Sequence, residues 1–576
     1  MAIFLLIRDN TTPDSIPTRL IQRLSFVGLP LVRQVRASGW GLWLFGAFNG
    51  QAPFWVETKE GDLATATGWF AFDGLTGDEA LRRLLEAFDG HALDWGRCRG
   101  HFHLVLRKGG RWYLLRDGLD AGKVYYNTEE SWFSNSFHAV FAGIRHPEPE
   151  RQGCYEYAFN GTPFGEKTFV KQIRMVPAGT MTVLEDHGVI HTAMAEAMPW
   201  YTEPGRVDCE AVAGLYLDRL RALFRIYIQL FGDRLRTAIS GGYDSRLILA
   251  LLLEAGAKPE LFIYGNQQGD PEVDVAREVA AAAGLPLEII DKSKKPLLTQ
   301  EQCREHVERN LIVFDGWKPS GLFDSGVDVA DRLERSRDRV LMSGSVGEIF
   351  RNFYYLPNRP LSLQEVVWCF YSRYHPGFVT KAFSSQAYAD AMTEAMRSAV
   401  LAPSGDRRVQ RGWTERTYPL FRGRFWTARD LNINLRFAPV IYPFLEADIV
   451  RDTWHIPLSC KHNGMLEARM IALAAPALAA CRSIYGHAFT TKPTWRYRLA
   501  MGATLLRPVA LRGYNYRLHY RNPRPLPFYL TSEWLGRVVD LSFPCMRELF
   551  NIEGIHDPDV YNRVATLEYL FQQGGA

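Results

Sequence analysis

Ser240-Gly241-Gly242-Tyr243-Asp244-Ser245 stands between a short apolar run, Leu235-Arg-Thr-Ala-Ile239, and an apolar stretch with helical spacing from Leu247 to Ala255. The run reads as a strand and the stretch as a helix. Small residues between them let the backbone turn sharply and approach a ligand closely. The amides exposed at the start of the helix favour an anion. Asp244 adds a carboxylate able to hold Mg²⁺ beside phosphate oxygens, and the hydroxyls of Ser240 and Ser245 are further donors. A lone Gly-Gly pair would be an ordinary turn, but the full string at a strand-to-helix junction favours a phosphate site. It is not a Walker loop, because no Gly-Lys-Ser/Thr ending follows.

Reading outward, the same alternation continues. Cys209 to Leu230 has an amphipathic helical pattern, with Val212, Tyr216, Leu220, Leu223 and Tyr227 on one face. Glu260-Leu-Phe-Ile-Tyr264 reads as a second strand, Val273 to Ala283 as a helix ended by Gly284, and Leu287-Glu-Ile-Ile as a third strand. Strands alternating with helices imply a parallel sheet with right-handed crossovers. Beyond residue 360 the pattern is mostly helical. Residues 1 to 204 read differently, as strands separated by turns. His101-Phe-His-Leu-Val-Leu and Arg111-Trp-Tyr-Leu-Leu-Arg flank Lys108-Gly-Gly as a hairpin. Thr180 to Leu184 and Gly188 to Thr192 form another, and Val124-Tyr-Tyr and Trp132-Phe-Ser are further strands. Two domains follow, 1–204 and 205–576.

Composition narrows the function classes. The 576 residues are 47% hydrophobic and 23% charged, an ordinary globular balance. A net charge of +4 argues against a dedicated nucleic-acid binder, and none is expected as a partner. The basic run from Arg507 to Arg524, with Arg512, Arg517, Arg521 and interleaved Tyr514, Tyr516 and Tyr520, reads as a solvated face. The eight cysteines show no Cys-x-x-Cys spacing and are too few for a disulfide framework, so reduced, buried thiols are expected. The apolar start is interrupted by Arg8-Asp9 and reads as a strand rather than a signal peptide. No stretch approaches the roughly 20 apolar residues of a membrane span. The expected location is cytoplasmic.

Ser-Gly-Gly-x-Asp-Ser resembles the pyrophosphate loop of the ATP pyrophosphatases, which cleave ATP between the α and β phosphates and adenylate a substrate. Neighbouring segments make the resemblance one to the asparagine-synthetase-like group. Phe262-Ile-Tyr264-Gly265-Asn266 matches the strand end lying against the nucleoside. Ala276, Ala280 and Gly284 match a helix-and-turn motif whose histidine is here Leu287. Leu341-Met-Ser343-Gly344-Ser345-Val346-Gly347-Glu348-Ile-Phe resembles the second loop, one residue shorter. Arg436-Phe-Ala-Pro with Tyr442-Pro-Phe-Leu445-Glu-Ala-Asp448, and His455-Ile-Pro-Leu with Lys461, resemble later segments. In the first domain, Leu114-Leu-Arg-Asp117-Gly118, Val124-Tyr-Tyr126, Thr168-Phe-Val-Lys171-Gln-Ile173 and Val176-Pro-Ala-Gly179 resemble the family's glutaminase.

The resemblance implies an Ntn-hydrolase-like, β-rich α+β first domain and an α/β second domain of the adenine-nucleotide α-hydrolase-like type, with a helical C-terminal part. It implies ATP and Mg²⁺, with Ile239, Ser240, Gly241, Gly242, Tyr243, Asp244, Ser245, Tyr264, Gly265, Ser343 and Gly344 at the nucleotide. Asp244 and Glu348 would hold the metal, with Glu348 alternatively paired to Arg351. Lys461, or its rival Lys492, would steady the intermediate. Tyr354 and Tyr355 are neighbours of the site more in keeping with the core, and the general base stays unassigned. A working glutaminase has an N-terminal cysteine nucleophile, but residue 2 is Ala2 and no cysteine precedes Cys98. The implied activity is ATP-dependent amide formation by carboxylate adenylation, with an amine other than glutamine-derived ammonia. Family members lacking the cysteine include β-lactam synthetases and lasso-peptide cyclases. A lasso-type cyclase would take a peptide carboxylate and have a precursor peptide and a processing protease as partners. An amidotransferase using free ammonia or a small amine on a sugar acid, a tRNA-thiolating enzyme, and a non-catalytic nucleotide-binding scaffold are the alternatives.

Overall fold

The computed structural model describes residues 2–9, 15–186, 188–194, 207–266, 269–294, 297–402, 408–520 and 522–574. The proposed domain boundary at 204/205 and Arg521 of the basic run lie outside the described residues.

The first strand, Ile3–Arg8, is apolar at nearly every position because both of its faces are buried. Successive strand side chains point to opposite faces. Phe4 and Leu6 enter a core with Trp40, Leu42, Val105 and Trp112. Ile3, Leu5 and Ile7 face the other way, toward Leu20 and Leu24 of the helix Ser15–Phe26. This strand sits in a six-stranded antiparallel sheet ordered Ile173–Met175, Tyr125–Asn127, Trp132–Ser134, Ile3–Arg8, Trp40–Phe45, Leu31–Ala37. A second antiparallel sheet is built around the long strands Leu63–Phe72 and Cys98–Lys108. Its outer face packs Phe70, Phe102 and Leu104 on Leu81 and Leu84 of the helix Gly77–Ala87. The layers therefore run helix, sheet, sheet, helix. Both expected hairpins are present: Cys98–Lys108 pairs with Arg111–Arg116, and Thr180–Glu185 with Gly188–Ala193.

The second region carries a five-stranded parallel sheet ordered Leu287–Ile290, Glu260–Tyr264, Leu235–Ala238, Val340–Met342, Val440–Ile441. The helix after the Leu235–Ala238 strand starts at Tyr243, four residues before the apolar spacing marks it, with Gly242 as its cap. Polar Asp244 and Ser245 thus occupy its first turn. Helices account for most of the chain beyond residue 360, as their spacing predicts.

Two expectations about local chemistry need correction. Cys209 and Cys460, 251 positions apart in sequence, form a disulfide with Cα atoms 5.4 Å apart. Sequence spacing carries no trace of it, because the start of the helix Cys209–Phe231 meets the Leu458–Lys461 turn only in the folded chain. The other six cysteines are free, five of them buried. Arg512 is not on a solvated face: it is buried and donates to the carbonyls of Tyr354 at 3.1 Å, Tyr355 at 2.8 Å and Thr504 at 2.7 Å. Arg436 is buried too and ties the regions together. It pairs at 2.7 Å with Asp315, whose carboxylate also accepts from Ser136 Oγ at 2.5 Å and from the amides of Phe137 and His138 at 3.0 Å. Burial alone would raise Asp315, but Arg436 and Arg429 outweigh it and hold its carboxyl below the usual range.

A second tie is Glu446, which is buried and accepts from the Gly100 amide at 3.2 Å and the Tyr227 hydroxyl at 2.9 Å. Burial, with Asp448 adding to it, pushes its carboxyl up to about 8. The folded state therefore holds a proton that the unfolded chain releases near the ordinary value, 4.5. Stability from this group is present below that ordinary value and is lost as pH rises toward the folded one. Glu446→Gln removes the loss. In urea unfolding between pH 5 and pH 8 the variant gains on wild type by up to about 1.4 kcal/mol per pH unit. Parallel pH profiles would mean that Glu446 is ionised in the fold.

Candidate active site

The parallel strands deliver two loops to their C-terminal ends, where ligands of open α/β sheets bind. Ser240–Gly242 follows Leu235–Ala238, and Ser343–Gly347 follows Val340–Met342. Between them opens a cavity of about 520 Å³ whose walls include Ser240, Asp244, Ser245, Ser343, Gly344 and Glu348. Its size suits a small-molecule ligand.

The first loop is held by its own hydroxyls. The Ser240 amide donates to Ser245 Oγ at 3.0 Å, the two serine hydroxyls lie 2.9 Å apart, and the Gly242 amide donates to Ser240 Oγ at 3.3 Å. Gly241 is required sterically, since a Cβ there would meet Ile484 Cγ2 at 2.2 Å. The second loop folds the same way: Ser343 and Ser345 hydroxyls are 3.0 Å apart, and the Ser345 amide donates to Ser343 Oγ at 3.3 Å. Val346 has φ +73°, a left-handed conformation that a β-branched residue rarely adopts. The two loops touch at Gly347, where a Cβ would lie 2.1 Å from Asp244 Oδ1.

Arg351 binds the carboxylates that meet here. It donates to Asp244 Oδ2 at 2.5 Å, pairs with Glu467 at 2.7 Å, and lies 3.6 Å from Glu348. Glu348 in turn accepts from the Tyr418 hydroxyl at 2.5 Å. Burial lifts the Asp244 carboxyl, with Arg351 opposing and Glu348 adding. Burial and then the nearby Asp244 push Glu467 well above the usual range.

Mg²⁺ fits this set. Asp244 Oδ1 is buried with no hydrogen-bond partner, which leaves an acceptor free beside the cavity. Among the described residues no three or more His, Cys, Asp or Glu side chains are arranged to hold a metal. Such a site suits Mg²⁺, which takes one or two carboxylates and completes its shell with phosphate oxygens and water.

The expected residues divide into three groups. Ser240, Asp244, Ser245, Tyr264, Ser343, Gly344 and Glu348 line the cavity. Ile239, Gly241, Gly242 and Gly265 shape its backbone: Ile239 extends the sheet by donating to the Phe262 carbonyl at 2.9 Å, and the Gly265 amide donates to that of Ile290 at 3.2 Å. Tyr243 and Lys461 do not face it. The Tyr243 ring is buried in a stack with Phe489 and Tyr485, its hydroxyl donating to the Asn463 carbonyl, so only its backbone serves the loop. The Lys461 ammonium is buried 3.5 Å from Glu415, and burial lowers it below the usual lysine range. Its rival Lys492 is exposed. Tyr354 is a buried core residue, hydrogen-bonded to Thr417.

Two residues of the cluster carried no assignment in the sequence, Glu467 and Tyr418. Glu467 had a signal: it shares a helix face with Met470 and Ile471, and an acid among apolar neighbours needs a partner. Tyr418 had none. At the far wall, the Tyr264 hydroxyl donates to Asp331 at 2.7 Å, and Arg335 donates to Asn434 at 3.1 Å.

No family model matches the chain. The chain is similar to an asparagine synthetase. That relative is asparagine synthetase (glutamine-hydrolyzing) 1 of Bacillus subtilis (strain 168), 25% identical over 246 residues, 41% of this chain and 37% of the relative. The chain thus spans little more than a third of that relative's length. Solved structures with partial similarity include the glutamine phosphoribosylpyrophosphate amidotransferase of B. subtilis complexed with ADP and GMP, at TM-score 0.24 and 10% identity, covering 50% of this chain and 65% of that one. The allosteric regulatory enzyme of purine biosynthesis overlaps at TM-score 0.23 and 10% identity, with 50% and 65% covered. Likenesses this slight leave the fold to rest on its strand order and cores.

Arg351→Met strands the buried carboxylates around it. Breaking a buried ion pair from one side costs about 3–5 kcal/mol. A thermal unfolding midpoint well below wild type is expected, and Glu467→Gln in the same chain restores part of it. Equal midpoints for Arg351→Met and wild type would show that the cluster does not stabilise the fold. Gly347→Ala, whose methyl collides with Asp244, keeps the fold and weakens binding of a fluorescent ATP analogue at least about tenfold, or about 1.4 kcal/mol. Unchanged polarisation titrations would contradict that.

Proposed function

We propose that the protein is an ATP-dependent ligase that activates a carboxylate as its acyl-adenylate and passes it to an amine. The observation that carries this reading is the meeting of two loops, Ser240–Ser245 and Ser343–Glu348, over one cavity, with Asp244 held between them. The similarity to asparagine synthetase supports it.

A carboxylate resists amines because its oxygen is a poor leaving group, and adenylate cures that. In this reading the serine hydroxyls and the amides at the Tyr243 helix start hold the departing pyrophosphate, where the helix dipole favours negative charge. Asp244 and Glu348 would hold Mg²⁺, which neutralises charge building on the phosphates. Arg351 fixes both carboxylates in place and restrains them from spreading apart. Tyr418 orients Glu348 through its hydroxyl. Phe262 and Tyr264 offer aromatic surface on the wall of the same cavity, suited to a nucleoside base.

The amine is the finer question. A separate cavity of about 180 Å³ beside Ala2, with Asn49 and Thr67 in its walls, has no cysteine among its lining residues. We take this as support for an amine that does not come from glutamine. Closure of a ring by the substrate's own amine is the preferred form, as in lasso-peptide cyclisation or lactam formation, because effective molarity then favours attack. The partners would be a precursor peptide and a processing protease, and a reaction that draws on ATP would run in the cytoplasm. Among the described residues no helix is long and apolar enough to cross a membrane.

The test is the product pair. Wild type incubated with Mg-ATP and a panel of carboxylates, peptides included, is expected to release AMP and pyrophosphate with one substrate class. Asp244→Ala is expected to lose at least about 100-fold of that rate, or about 2.7 kcal/mol of transition-state stabilisation. ADP and phosphate as products would overturn adenylation. Turnover unchanged in Asp244→Ala would move the chemistry elsewhere.

A further inference from the structure

A second cavity, of about 720 Å³, lies at the seam between the antiparallel sheets and the helical region. One side is the Arg116–Lys123 turn and the other the helix Ser385–Val400, with Arg424 and Phe425 closing the floor. Nothing in the adenylation chemistry uses it.

Its floor carries two buried cations, Lys123 at 7% exposure and Arg424 at 5%. The Lys123 ammonium has three protons but donates to one protein acceptor, the Asp120 carbonyl at 2.6 Å, and sits 4.7 Å over the Phe425 ring. Arg424 donates only to carbonyls, Leu119 at 2.8 Å and Ala399 at 3.5 Å. Among the described residues no carboxylate lies within ion-pair distance of either. The acids in the wall are engaged elsewhere or exposed. Asp117 accepts from the amides of Leu119, Ala121 and Gly122. Asp120 pairs with Arg116 at 2.9 Å and accepts from the Gly179 amide at 2.7 Å. Glu166 and Glu394 are exposed. Burial, followed by the repulsion of Arg424, drives the Lys123 ammonium well below the usual lysine range, with Asp120 and Asp117 only partly opposing it across the wall.

Buried cations without an ion-pair partner are costly unless a ligand supplies one. We propose that this cavity is an anion-binding site that takes a small molecule bearing a carboxylate or a phosphate, its charge on Lys123 and Arg424 and its apolar body against Phe425, Met175 and Ala395. The floor also has a line to the nucleotide cavity. Arg424 lies six residues beyond Tyr418 on one π-type helical segment, Tyr418–Thr427, and Tyr418 holds Glu348. Such segments cluster at functional sites. An occupant therefore rests on the same stretch of backbone that orients an active-site carboxylate. The proposal does not depend on which reaction the Ser240–Ser245 loop performs.

Thermal shift measures it directly, with inorganic phosphate and with glutarate as probes, and with chloride at matched ionic strength as the control. The probes also reach the nucleotide loop, so the titrations are repeated in Ser240→Ala/Ser245→Ala. One probe or both are expected to raise the midpoint of wild type and of the loop variant in a saturable way, while chloride does not. A larger shift with glutarate identifies a carboxylate ligand, and a larger shift with phosphate a phosphate ligand. Lys123→Met is expected to melt at or above wild type without the probes and to lose the saturable shift, with at least tenfold weaker apparent binding. If that variant does not fold, Ala395→Glu, which builds a carboxylate into the wall, is expected to abolish the shift instead. A full shift retained in the folded Lys123→Met or in Ala395→Glu, a shift matched by chloride, or no shift in wild type with either probe would overturn the proposal.

Discussion

One guanidinium organises the loop end of the parallel sheet in this molecule. Arg351 reaches Asp244 on the first loop, Glu348 on the second and Glu467 on a helix that begins more than a hundred residues later. Without it, three acids would meet in a half-buried space and repel. With it, both loops are held together and Asp244 keeps one buried oxygen without a hydrogen-bond partner. The bridge is planar and forked, which a lysine could not reproduce. Gly347 supplies the other half of the constraint, since the approach of the loops leaves no room for a side chain there.

The rest of the fold brings distant segments to that point. Asp315 gathers Arg429 and Arg436 from one region and the amides of Phe137 and His138 from the other. Glu446 does the same between Gly100 and Tyr227. Both are buried polar junctions, so their hydrogen bonds must be complete for the seam to form. The seam is therefore specific in register, where an apolar contact of equal area would tolerate sliding. It also encloses the basic floor formed by Lys123 and Arg424, which neither region would bury by itself.

The fold was legible in the sequence wherever a pattern is local. Alternation gave the hairpin around Lys108-Gly109-Gly110 and the pairing of Thr180–Glu185 with Gly188–Ala193, and strand-helix alternation gave the parallel sheet. The cavity-lining serines, Asp244 and Glu348 were readable because a phosphate loop needs small residues and an acid in sequence order. The side-chain direction of Tyr243 was not readable, because it depends on Phe489 and Tyr485, some 240 residues away. Lys461 was chosen by its place in a motif, and its pairing with Glu415 depends on a helix that the motif does not include.

By itself the sequence determined the elements, their order and the tight strand-to-helix turn at Ser240–Ser245, because periodicity, glycine and capping act over a few residues. Tertiary structure alone decided which charges are shared and which are left over. Arg351 among three carboxylates, the Cys209–Cys460 bond and the buried Lys123 and Arg424 without an ion-pair partner are all outcomes of burial and distance. Those quantities follow from how separate elements pack, and Coulomb energy in a desolvated space changes too steeply with distance for any one-dimensional reading to fix it.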